Sequence, residues 1–161
     1  MKRAALIICL SLLAIAGLSN AGETITGTVV AVMDGDTVKV LTPEKQQITI
    51  RLSEIDAPEK NQPFGKKAKQ MLSEMIFGKE VSIAVIGHDR DYRTIGRIYQ
   101  GSADVNLEMV KAGGAWSFTK YVKDPQIPAA QSAAQAARVG LWSLPDEQHI
   151  PPWEWRKQRR H

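Results

Sequence analysis

From residue 24 onward the chain alternates apolar and polar positions in short runs. Residues 24–32 are rich in Thr, Val and Ile, and residues 37–41 follow after an Asp34-Gly35 turn signal. Beyond a second turn at Thr42-Pro43-Glu44-Lys45, residues 47–52 set Ile48, Ile50 and Leu52 against Thr49 and Arg51. These runs predict three strands joined by tight turns, an antiparallel meander. Ala57-Pro58 ends the pattern, because proline offers no amide donor and restricts the residue before it. After Phe64-Gly65 the period becomes helical. Ala68, Met71, Leu72, Met75 and Ile76 fall on one face, and Gly78 closes the helix. Residues 81–86 and 94–99 read as two further strands. A short helix is expected over about residues 106–112, stopped by Gly113-Gly114, and an alanine-rich one over about 128–139, followed by Gly140.

Three strands, a helix, two strands and then helices is the order of an α+β fold. It matches a five-stranded OB-fold β-barrel capped by three helices, with the first helix between the third and fourth strands. A plain α+β sandwich is the competing topology. Residues 22–143 are expected to form this one domain. Residues 144–161 are expected to form a Pro/Trp-rich, basic arm, extended from Pro151 onward. Trp142, Trp153 and Trp155 are expected to pin that arm to the barrel.

The first residues change the picture of where the protein works. Met1-Lys2-Arg3 precede an apolar run over 4–18, and Ser19-Asn20-Ala21 ends it with small residues. That layout predicts a signal peptide (residues 1–21) cleaved after Ala21. The run is too short for a membrane anchor, the competing reading. The mature chain is therefore expected in the periplasm or the medium, with no stable membrane insertion and as a monomer. The single cysteine, Cys9, lies in this segment, which excludes disulfides, thiolate metal sites and a cysteine nucleophile from the mature protein. The formal charge of +4 falls to +2 without Lys2 and Arg3, and the last eleven residues hold +3 of it, leaving about −1 on residues 22–150. Overall charge thus does not announce a polyanionic partner, and the basic tail alone is compatible with a solvated end.

Candidate chemistry concentrates in Asp34-Gly35-Asp36-Thr37 and in Arg51 through Glu59. Asp36 shares its alternation with Val38 and Val40, which points it inward at the barrel mouth. If the third strand pairs with the second, Asp56 and Glu59 reach the same mouth. Carboxylates converging there repel one another unless a cation lies between them, and all-oxygen donors favour Ca²⁺ or Mg²⁺ over zinc or copper. Each segment alone also has an ordinary structural use, as a turn or a helix start. His88, His149 and His161 share no metal-ligand spacing and read as surface residues.

These residues carry a resemblance. Asp34-Gly35-Asp36-Thr37-Val38-Lys39, Arg51-Leu52 with Ile55-Asp56-Ala57-Pro58-Glu59, and Tyr92-Arg93 with Gly96-Arg97-Ile98-Tyr99 resemble the staphylococcal nuclease (thermonuclease) family. So do Val105-Asn106, Gly113, Ala115-Trp116, Gly140-Leu141-Trp142-Ser143 and the Pro151-Pro152-Trp153-Glu154-Trp155-Arg156 ending. The resemblance runs in order through nearly all of the mature chain. It implies an exported, Ca²⁺-dependent endonuclease that hydrolyses DNA and RNA with little sequence specificity, leaving 3′-phosphates. The alternative on the same fold is a barrel that binds single strands without cutting them.

The resemblance also implies roles. Asp36 and Asp56 would hold Ca²⁺ with the backbone carbonyl of Ala57. Glu59 would position or deprotonate the attacking water, and Arg51 and Arg93 would bind the phosphate. Tyr121 fits one nucleotide-stacking position, whereas Thr119 stands at the other, where Trp116 or Phe118 would compensate. Lys66, Lys67 and Lys69 would touch backbone phosphates or form a solvated helix face. Three departures stand out. Tyr92 replaces a glycine of the family pattern, which puts Arg93 in competition with Arg90 and Arg97. Thr119 replaces a tyrosine. The loop over 60–64 is short.

Overall fold

The computed structural model describes residues 22–159. The expected signal peptide, residues 1–21 with Cys9, and His161 lie outside the described residues. Strands β1 (Thr24–Val32), β2 (Thr37–Leu41) and β3 (Gln47–Leu52) form the meander with the bounds that the alternation predicts. Val38 pairs with Ile50 and Val40 with Ile48, and all but the half-buried Ile48 are fully buried. An irregularity between Val29 and Ala31 bends β1. One half of β1 pairs with β2 and the other with β5 (Glu80–His88). β5 pairs antiparallel with β6 (Thr94–Gln100), and β6 runs parallel to β3, matching Ile50 to Thr94 and Leu52 to Gly96. That parallel seam closes a five-stranded barrel of the OB type, so the sandwich topology is excluded.

Helix α1 (Gly65–Ile76) plugs the barrel between its third strand and β5. Ala68, Leu72 and Ile76 are completely buried, and Met71 and Met75 pack partly buried beside them. A short β7 (Ala103–Asp104) leads into α2 (Val105–Lys111), and α3 (Gln126–Ala136) packs on α2. Two-residue strands β4 (Ile55–Asp56) and β8 (Trp116–Ser117) pair with each other and hold Asp56 opposite Trp116. The buried Asn106 fastens the segment leading into β4. Its amide oxygen accepts the Ile98 N–H at 3.0 Å and its amide nitrogen donates to the Ser53 carbonyl at 2.9 Å. A fully satisfied buried amide of this kind fixes one geometry.

The C-terminal segment corrects the expectation of an extended arm. Two 3₁₀ turns, Gly140–Ser143 and Asp146–Gln148, lead to a fourth helix, α4 (Pro152–Gln158). Pro152 occupies the first turn, where its missing N–H costs nothing and its fixed φ suits the helix. Seven residues would not hold a helix in water alone. Packing does: the Trp153 ring stacks on Phe118 at 5.3 Å and meets Trp116 edge-on at 6.0 Å. Trp142 packs against Trp116 at 4.4 Å, so Trp142 and Trp153 do anchor the segment. His149, expected on the surface, instead sits edge-on to the Trp142 ring at 5.3 Å.

Candidate active site

Tight backbone contacts set the floor of the site. A Cβ on Gly35 would lie 2.6 Å from the Cβ of Ala57, so only glycine lets the Asp34–Asp36 turn rest on the chain just after Asp56. A Cβ on Gly65 would collide with the Glu59 carbonyl in the same way, which draws α1 against the Glu59 turn.

On that floor the acids and one arginine interlock. Asp36 is buried. Its Oδ2 accepts the Ala57 N–H at 2.7 Å and its Oδ1 accepts the Thr37 hydroxyl at 3.0 Å. Arg51 ion-pairs with Asp36 through Nη1 and with Asp56 through Nη2 at 2.9 Å, so one guanidinium bridges two buried carboxylates. Burial pushes the Asp36 carboxyl up, but the charge and hydrogen bonds of Arg51 and the Ala57 N–H outweigh it and hold the group below its usual range. Asp56 is raised, chiefly by burial. Asp34, which accepts the Asp36 N–H at 3.0 Å, is pushed up to about 6 by burial and by the neighbouring Asp36 charge.

Glu59 stands at the edge of this group. Its N–H donates to Gln62 Oε1 at 3.0 Å, and the Gln62 amide donates to the Ile150 carbonyl at 2.6 Å. The short loop over 60–64 is thereby stitched to the chain entering α4. From α4 comes a residue that the sequence did not single out. Arg156 Nη1 bonds Glu59 Oε1 at 2.7 Å, and its Nη2 bonds Asp56 Oδ2 at 2.7 Å. The one hint in the sequence was its place in the Pro-Pro-Trp-Glu-Trp-Arg ending, because a basic tail carries no information on where it docks.

These groups border an open cleft of about 1370 Å³ whose walls include Asp36, Arg51, Glu59, Arg93, Tyr121 and Arg156. Arg93 reaches the cleft but is held by Asp89, Nε to Oδ2 at 2.7 Å. Tyr92 takes φ 57°, the left-handed conformation that the family's glycine would adopt freely. Both rivals to Arg93, Arg90 and Arg97, also border the cleft. Arg97 is committed to three acids, bonding Glu54 at 3.1 Å, Asp104 at 2.5 Å and Asp124 at 2.6 Å, and so acts as a structural tie in the cleft wall. Tyr121 is exposed at the cleft, as expected of a stacking residue.

One expectation is corrected. Trp116 is buried among Trp142 and Trp153 and does not border the cleft, because alternation along β8 turns it into the packing layer. Lys66 and Lys67 lie on the solvated face of α1, the second of the two readings open to them, with the Lys67 ammonium 5.8 Å from the Phe64 ring.

The donor chemistry can be tested against a metal. Asp36, Asp56 and the Ala57 backbone supply oxygen alone, which suits a hard cation that keeps several waters and does not suit zinc or copper. Among the described residues no group of three or more His, Cys, Asp or Glu side chains is placed to enclose an ion. A cation held by two carboxylates and a carbonyl fits both facts. Arg51 bridges the same two carboxylates.

Comparison with known proteins places the chain among nucleases by sequence. A family model described as staphylococcal nuclease homologue matches residues 49–144, a span that ends before α4. An uncharacterised endonuclease of Haemophilus influenzae is 45% identical over 86% of this chain and 76% of its own. The micrococcal nuclease of Shigella flexneri is 38% identical over 84% of this chain and 82% of its own. A staphylococcal-like nuclease of Arabidopsis thaliana is 38% identical over 71% of this chain but only 35% of its own length. A family model over more than half of the chain and relatives of this identity and coverage show that this chain belongs to the staphylococcal nuclease family.

Proposed function

We propose that this protein is a nuclease that hydrolyses phosphodiester bonds in DNA and RNA with little sequence preference, uses Ca²⁺, and is exported by its signal peptide. One observation carries the reading: Arg51 lies between two buried carboxylates, with Glu59 close by, on the floor of an open cleft. A barrel that merely bound strands would have no use for buried acids at its mouth, which oppose phosphate binding.

The residues divide the work as follows. Asp36, Asp56 and the Ala57 carbonyl would hold the cation, which when bound supplies Lewis-acid polarisation of a phosphate oxygen. Arg51 presents a planar fork that matches phosphate oxygens bidentately, and its fixed charge favours the added negative charge of the transition state. Glu59 accepts a hydrogen bond from the attacking water and orients it. Its Oε1 is held by Arg156, which leaves Oε2 for the water. Arg93 serves the phosphate from the cleft wall once it exchanges Asp89 for substrate. Tyr121 offers a ring for a base, a contact indifferent to sequence.

The test is cleavage of single- and double-stranded DNA and of RNA by protein beginning at Gly22, with Ca²⁺, with Mg²⁺ and with chelator. Glu59→Gln runs alongside. Calcium-dependent cutting, reduced about 10²- to 10⁴-fold in the variant, is expected. Folded protein that binds DNA but never cuts it, whichever metal is supplied, would instead make it a binding barrel. Fractionation of producing cells, with N-terminal sequencing for a start at Gly22, checks export.

A further inference from the structure

The Glu59–Arg156 pair is a partition. On one side lies the large cleft. On the other is a second cleft of about 300 Å³, bounded by Glu59, Lys60, Asn61, Trp155, Arg156 and Arg159. We propose that this second cleft is a phosphate-binding subsite for the nucleic-acid strand, adjoining the scissile position, with Arg159 and Lys60 as its cationic contacts. The proposal rests on the nuclease reading above and extends it to substrate lying on both sides of the catalytic floor.

Helix geometry makes Arg159 a consequence of Arg156. Residues three apart lie one turn along the same face, about 5–6 Å between their Cβ atoms. Arg156 is fixed by bonds to Asp56 and Glu59, so Arg159 at the helix end falls beside it, on the side away from the large cleft. The Trp155 ring braces Arg159, whose guanidinium carbon lies 5.8 Å from the ring centre. Trp153 in turn holds α4 on Phe118, so this wall is anchored. Lys60 and Asn61 stand on the same cleft, next in chain to Glu59.

Charge selects the ligand. Arg156 already answers Glu59, so among the described residues Lys60 and Arg159 are the cations that remain in the lining. Asn61 adds amide donors, and guanidinium, ammonium and amide together fit a phosphodiester. Basic residues at a helix C-terminus also complement the helix dipole, which accounts for the charge of Arg159 and Lys157. It does not account for a cleft whose wall is shared with Glu59. A polyanion passing Glu59 has this cleft as its continuation.

The experiment compares a dinucleotide, which has only the scissile phosphodiester, with a 12-nucleotide thymidylate strand. Wild type is set against the double variant Lys60→Gln, Arg159→Gln. The variant should match wild type on the dinucleotide and in thermal stability. On the 12-mer its KM should rise about tenfold or more, and the slope of log KM against log salt should weaken by about 1.4, the loss of two phosphate contacts on a single strand. Binding of a labelled 12-mer in chelator should weaken in parallel. A variant that equals wild type on the 12-mer, with an unchanged salt slope, overturns the subsite while leaving the nuclease reading intact. Wild type that cuts neither substrate overturns both.

Discussion

Arg156 and Glu59 lie 97 residues apart in the chain and 2.7 Å apart in the fold. The same guanidinium reaches Asp56, so the last helix completes the acid cluster that the second and third strands begin. Arg156→Ala should lower kcat about 10- to 100-fold by releasing Glu59 from its orientation, a cost typical of small misplacement in a catalytic group. Methylguanidinium in solution should restore part of that loss, which no purely structural role predicts. Arg156→Lys should restore less than its charge suggests, because an ammonium cannot bridge two carboxylates with a planar fork.

Arg51 tests whether guanidinium and cation compete for one place. In chelator, Arg51→Ala should be destabilised by about 3–5 kcal/mol, since the buried Asp36 loses its cationic partner beside the Asp56 carboxylate. Calcium should then raise the melting temperature of the variant more than that of wild type. Equal calcium shifts in the two proteins would mean that the ion does not occupy the Asp36–Asp56 bridge.

Asp34 gives a pH signature. Its folded carboxyl is raised to about 6 from an ordinary 3.8, so its contribution to stability is complete below pH 4 and is lost as pH rises through 6. Asp34→Asn keeps an acceptor for the Asp36 N–H and removes the charge. The variant should equal wild type at pH 4 and exceed it by on the order of 2 kcal/mol at pH 7.5, measured by urea unfolding in chelator.

The arginines of β6 and the turn before it should separate cleanly. Arg97→Ala breaks bonds to Glu54, Asp104 and Asp124 and should cost on the order of 2 kcal/mol in stability. Arg93→Ala should leave the melting temperature within a few degrees and reduce cleavage about 10²-fold. Thermal melts and kcat/KM measured on both variants check the assignment.

The barrel was legible because its signals are local. Alternation and turn residues fixed β1, β2 and β3 to the residue, and the helical period found the buried face of α1. Asp36 could be placed for the same reason, since it continues the inward positions of Val38 and Val40. Arg156 could not. Its role depends on where Trp153 docks, and a basic helix one turn from the chain end has the composition of a solvated tail. Trp116 and His149 failed from the other side: an aromatic or a histidine carries the same letter in a cleft and in a packing layer, and only tertiary contacts decide between them.

The parallel seam that matches Arg51 to Ile95 has a consequence for timing. Closing it joins segments far apart in sequence, and docking α4 joins segments farther apart still. Both must overcome loop-closure entropy before their contacts repay it, so they belong late in folding. A chain still leaving the ribosome holds Asp36 and Arg51 on an open ribbon, with Arg156 not yet made. The full acid cluster therefore assembles only once the barrel has closed and α4 has docked, not on the nascent ribbon.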